Sequence, residues 1–149
     1  MNVLISACLL GLACRYDGQS KGYSAVEALL KEADIHLIPF CPEQCGGLAT
    51  PRDPAERQGG AVRTQGGRDV TEQYRRGAAM ALNLAKTFGC TVAVLKEKSP
   101  SCGSGRIYDG TFTRTLTAGD GVTAELLKNH GITVVGESQI ENFLSQALT

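Results

Sequence analysis

The sequence predicts an α/β chain built on a doubly wound, mainly parallel sheet of the Rossmann or flavodoxin type, with a small β-hairpin inserted. Three observations predict it. Short apolar runs with strand character alternate with segments of helical period along the whole length. Strands that alternate with helices are joined by right-handed crossovers and so come out parallel. The 149 residues suit one domain over 1–149, long enough to bury a proper core.

Taken in order, residues 3–6 form the first apolar run, ending at Ala7 and Cys8. Ser24 begins a helix, with Glu27 three residues on completing a capping box. Val26, Leu29, Leu30 and Ala33 supply its apolar face. Residues 35–40 read as the second strand, stopped by Cys41 and Pro42. The stretch 44–68 is rich in Gly, Pro and Arg and reads as a long surface loop; loops of that length inside compact domains are usually functional or disordered. Asp69 or Thr71 opens the longest helix, which runs to Phe88 and is closed by Gly89. Its predicted buried stripe is Tyr74, Ala78, Leu82, Ala85 and Phe88.

Residues 91–95 form the third strand and lead into SPSCG. RIYDGTFT, residues 106–113, reads as a small hairpin turning at Asp109 and Gly110. A helix follows over 122–130, then a fourth strand over 132–135. Ser138 with Glu141 repeats the capping box for a last helix, whose face is Ile140, Phe143, Leu144 and Ala147.

Composition narrows the function. Fifteen basic residues balance fifteen acidic ones, with no block of like charge. Such a surface gains little from a stretched polyanion, so bulk nucleic-acid binding is disfavoured, while a small base or nucleotide is not. ISAC at residues 5–8 has the look of a lipoprotein cleavage site, but no basic leader or sizeable apolar stretch precedes it. No run is long enough to span a bilayer. The expected location is therefore cytoplasmic, where clustered cysteines more often bind metal or do chemistry than form disulfides.

The cysteines carry the strongest signal. Cys8, Cys41 and Cys102 each lie in a loop just after an apolar run: ACLLGLACRYDG, CPEQCGG and SPSCG. Residues that follow parallel strands emerge on one sheet edge, so thiols far apart in sequence are expected to meet there. Three thiolates with one open coordination position suit an iron–sulfur cluster or a zinc ion. Spacing alone does not choose between them, since Cys41-x-x-x-Cys45 is not the tight pair of a zinc ribbon. His36 and His130 fall on predicted elements and read as structural. Glu43, two residues after Cys41, is a candidate general acid or base. Ser101, beside Cys102, is placed to position substrate or water. Arg15 and Arg52 are candidates for holding a carbonyl or phosphate, with surface charge as their ordinary role.

The ordered strings CLLG-x-x-C-R-Y-D-G, CPEQ-x-GGL-x-TPR-x-PAE, LKEKSPSCGSGRIYDGTF and GDGVTAELLKNHGI resemble one family over essentially the whole chain, the thiouracil desulfurases. That resemblance implies a 4Fe–4S cluster held by three cysteines, here matched by Cys8, Cys41 and Cys102. It leaves one iron open to the thiocarbonyl sulfur of a 2- or 4-thiouracil, presented as base, nucleoside or nucleotide. It implies non-redox release of sulfide, with Glu43 as acid/base and Ser101 as its polar partner at the substrate. Cys14 is expected to be a non-ligand. Cys45 stands where the family pattern carries an apolar residue and is expected to be a bystander. Two rival readings are a non-catalytic zinc or iron–sulfur module that closes its site with Cys14 or Cys45, and a persulfide carrier that needs a single reactive thiol.

Overall fold

The computed structural model describes residues 1–18 and 23–147. Four strands form one parallel sheet in the order β2 (His36–Phe40), β1 (Asn2–Ser6), β5 (Val92–Leu95), β8 (Thr133–Gly136). β1 and β5 lie at the centre and read as near-continuous apolar runs, as strands covered on both faces must. Side-chain alternation divides the core in two. Val3 and Ile5 face one cluster with Val26, Leu29, Ile140 and Leu144. Leu4 faces the other with Ala81, Leu82, Ala85, Ala124 and Leu127. Helices α1 (Ala25–Lys31) and α5 (Ile140–Ala147) thus cover one face, and α3 (Thr71–Thr87) and α4 (Val122–Asn129) the other.

The chain leaves β1 for β2 on one side and then crosses to β5 on the other side of β1. This reversal splays the loops apart at the carboxyl ends of β1 and β5 and opens a crevice there. Cys8 follows β1 in a 3-10 turn (Ala7–Leu10), Cys41 follows β2 directly, and Cys102 lies in the loop after β5. The doubly wound sheet expected from the sequence is therefore present, and it carries the three cysteine loops on one edge.

Several details differ from expectation. The stretch 44–68 is not one loop. It contains the short helix α2 (Pro42–Cys45, which starts just before it) and an antiparallel hairpin of β3 (Ala55–Gln58) and β4 (Ala61–Thr64). The second hairpin pairs β6 (Arg106–Tyr108) with β7 (Leu116–Ala118), so its connection runs well beyond Asp109–Gly110. Leu30, Phe88, Ala33 and Ala147 are exposed: Leu30 and Ala147 fall outside the narrow stripe a short helix buries, Ala33 lies beyond the end of α1, and Phe88 is the C-cap of α3. Neither predicted capping box forms. Ser24 already has helical dihedrals and makes no side-chain cap bond. Ser138 sits in a 3-10 turn (Glu137–Gln139), where its N–H and hydroxyl both donate to Glu97 Oε1.

Candidate active site

α2 places two of the predicted residues. Cys41 is its N-cap and Glu43 lies in its first turn. The helix is too short to hold its own position, and it is seated on α3 by glycines. A Cβ on Gly77 would stand 1.9 Å from the Pro42 carbonyl oxygen, and one on Gly46 would stand 2.1 Å from that of Gln73. Only backbone-to-backbone approach permits this contact. Glu43 is then gripped by Arg52, whose Nη2 and Nε donate to Oε2 at 2.6 and 3.1 Å. Arg52 also donates to the carbonyls of Cys14 and Ala49. It thus ties the first cysteine loop to α2, and with side-chain exposure of 9 % it is a structural clamp rather than a surface charge.

The Cys102 loop is built differently. Backbone N–H groups of Val122, Thr123 and Ala124, in the first turn of α4, donate to the carbonyls of Pro100 and Ser101. With its backbone used this way, Ser101 points its hydroxyl at Thr123 Oγ1, 2.7 Å away, and both residues are fully buried. Ser99 turns the other way. Its Oγ accepts from the N–H groups of Ser101 and Cys102, each at 3.1 Å, and its hydroxyl donates to Glu43 Oε1 at 3.4 Å.

Cys8, Cys41 and Cys102 line one cavity of about 680 Å³, together with Glu43, Ser99 and Arg52. The thiols act on one another. Burial first, then the neighbouring Cys41, pushes Cys8 up to about 11. Burial also drives Cys102 well up. The Ser6 hydroxyl, hydrogen-bonded to its sulfur, opposes this, while Glu43, Cys8 and Cys41 add to it. Cys14 is pushed up to about 12 by burial and then by Cys41 and Cys8. Such thiols stay protonated and inert unless a metal takes the proton's place. Among the described residues, no three His, Cys, Asp or Glu side chains group tightly enough to share a single metal ion. Cys8, Cys41 and Cys102 line the cavity wall, and thiolates are the donors an iron–sulfur cluster would take.

A family model described as 2-thiouracil desulfurase matches residues 3–139. The chain belongs to the 2-thiouracil desulfurase family. It is 42 % identical over 152 residues to the uncharacterized protein YbbK of Bacillus subtilis (strain 168), covering 95 % of this chain and 99 % of that one. Among solved structures, the 4Fe–4S-dependent thiouracil desulfidase TudS is 50 % identical, covers 99 % of each chain and superposes with a TM-score of 0.91.

Within this desulfurase chain the sequence-predicted residues separate clearly. Cys8, Cys41, Cys102 and Glu43 share the cleft. Ser101 is not among the residues lining it, its hydroxyl being paired with Thr123, while Ser99 lines it and donates to Glu43. Cys14 also lines the cleft, and its carbonyl accepts from Cys41 Sγ at 3.8 Å. Cys45 is exposed and lines a neighbouring pocket that shares Cys14 and Cys41 with the cleft. Arg15 borders the cleft, 3.6 Å from Asp17.

Sequence reasoning missed the cleft's outer wall. AERQGGAVRT is two short segments joined by Gly59–Gly60, a hairpin signal that was there to be read. Glu56 on β3 is nearly buried, and its Oε1 accepts from the N–H groups of Gly110 and Phe112, which ties the two hairpins together. Lys98, Phe112 and Arg114 are the non-glycine residues with left-handed φ among those described, and all three line the cleft. Strain of this kind gathers at functional sites, and no sequence signal announces it.

Proposed function

We propose that this chain hydrolyses the C–S bond of a thiolated pyrimidine, releasing sulfide, at an iron–sulfur centre held by Cys8, Cys41 and Cys102. One observation carries the reading: three thiols from three strand ends, Cys8 and Cys102 buried and Cys41 half-buried, line a single cleft beside an oriented carboxylate. Soft thiolates are the donors iron–sulfur clusters take, and three of them leave one iron of a 4Fe–4S cluster without a protein ligand. Bound there, the cluster supplies a Lewis-acidic iron that prefers a thiocarbonyl sulfur to water.

The protein's own residues account for the rest. Water adds its oxygen to the ring carbon, the C–S bond breaks, and sulfur departs as hydrosulfide; no electrons are gained or lost overall. Glu43 is the proton carrier for this exchange. Its Oε2 is fixed by Arg52, while Oε1 accepts from Ser99 at 3.4 Å, and the buried Tyr74 hydroxyl also bonds to the carboxylate. Tyr108 and Phe112 on the cleft wall offer aromatic faces to a planar pyrimidine. The cavity has more room than one such ring needs, and Arg15, Lys98 and Arg114 border it, which suits a base carried with its sugar or phosphate.

The test is anaerobic reconstitution followed by iron and sulfide analysis and by conversion of 2-thiouracil to uracil. Replacing Cys8, Cys41 or Cys102 by Ala removes both iron and turnover, while Cys14→Ala and Cys45→Ala keep both. Retained turnover in Cys41→Ala would sink the reading. Zinc in place of iron, or a fourth cysteine required for binding, would instead favour a non-catalytic module.

A further inference from the structure

The cleft wall holds an ion pair for which the chemistry above has no use. Lys96 directly follows β5, and the Ile5–Val94 register brings it level with the turn that carries Cys8. Its backbone N–H donates to Ser6 Oγ at 3.0 Å, which fixes where the side chain starts. Its ammonium donates to Glu137 Oε1 at 2.9 Å and to the Glu97 carbonyl at 3.1 Å. The same carboxylate oxygen accepts the Glu97 N–H at 2.9 Å. Glu137 Oε2 is buried with no hydrogen-bond partner among the described residues. Lys96 lines the cleft with the three cysteines, while Glu137 lies behind it, 6 % exposed.

A pair with one member buried and the other partly so is costly. Desolvating both ions commonly cancels their attraction, and the unpartnered oxygen adds to the cost. An apolar pair would serve packing as well. What the pair supplies is a cation held in place at the edge of a thiolate site.

We propose that Lys96 is a positioning residue whose ammonium, held and partly offset by Glu137, is a fixed counter-cation to the Cys8–Cys41–Cys102 cluster site. This rests on the cluster reading above. Three thiolates bring negative charge into a poorly solvated cleft, and a fixed cation beside them lowers the cost of assembling the site. The same charge favours the anionic sulfide that the reaction sets free. The reaction is non-redox, so the reduction potential of the cluster serves purely as a gauge of local charge. A nearby positive charge raises that potential, because the reduced form carries one more electron.

The experiment is a mediated redox titration of the reconstituted holoenzyme followed by electron paramagnetic resonance, with iron content measured on every sample. Lys96→Gln shifts the potential to more negative values. Glu137→Gln, which removes the offsetting carboxylate, shifts it to more positive values. Lys96→Arg stays near wild type. Should Lys96→Gln fail to load iron, the double variant K96Q/E137Q removes the stranded carboxylate and carries the test; its potential falls below that of Glu137→Gln. Shifts of one sign in both single variants, or none in either, would overturn the proposal while leaving the cluster reading intact. Wild-type protein that binds no iron would overturn the cluster reading itself, and this inference with it.

Discussion

Arg52 grips Glu43 by a single oxygen. Nη2 and Nε both reach Oε2, at 2.6 and 3.1 Å, and leave Oε1 to Ser99 and the cleft. One carboxylate oxygen is thereby structural and the other is available for proton transfer. This division comes from residues nine apart in sequence and explains how a short, weakly self-supporting helix aims the carboxylate proposed to carry the proton.

Glu43→Gln keeps the shape of the side chain and removes its capacity to carry a proton. The expected outcome is normal iron content with turnover of 2-thiouracil reduced about 100- to 10,000-fold. Full turnover with normal iron would remove the acid/base role.

Arg52→Ala releases Glu43 and also unties Cys14 from α2. A half-lost charged network of this burial costs about 2–3 kcal/mol of stability, read as a lowered Tm. Turnover is expected to fall on the order of 100-fold through misplacement of Glu43. Arg52→Lys supplies the charge without the planar fork, and should recover stability better than rate.

Ser99 and Ser101 are separated by one residue and have opposite roles. Ser101→Ala strands the Thr123 hydroxyl in a dry core, at a cost of about 1–3 kcal/mol, and keeps turnover per cluster. Ser99→Ala removes the acceptor that shapes the Cys102 turn and the donor to Glu43, so iron content and turnover both fall. Comparing Tm, iron content and rate for the two variants checks the assignment; a silent Ser99→Ala would contradict it.

Gly77→Ala tests how Cys41 is seated. The new Cβ meets the Pro42 carbonyl at 1.9 Å, so α2 must lift from α3. Overpacking of this kind costs about 1–3 kcal/mol, and here the displaced segment carries Cys41. Iron loading is expected to drop although Gly77 touches no ligand. Glycine to alanine at exposed Gly60, where a Cβ has open space, is the control.

Much of this architecture was written locally. The runs NVLIS and VAVL and the helical periods between them are one-dimensional patterns, and burial on a two-faced sheet is what reads them out. The placement of Cys8, Cys41 and Cys102 at one edge followed from strand direction alone. Which polar groups reach the cleft did not. Ser99 and Ser101 have the same chemistry and almost the same position, and what separates them is that the loop's carbonyls bind the first turn of α4 and turn one hydroxyl inward to Thr123. The Arg52 clamp, the Lys96–Glu137 pair and the Glu56 link between hairpins join residues whose meeting depends on how loops pack. Periodicity and strand order are set by short-range sterics and burial, so the amino-acid sequence determined them unaided; side-chain direction in irregular segments is set by long-range hydrogen bonds, which only the tertiary structure decided.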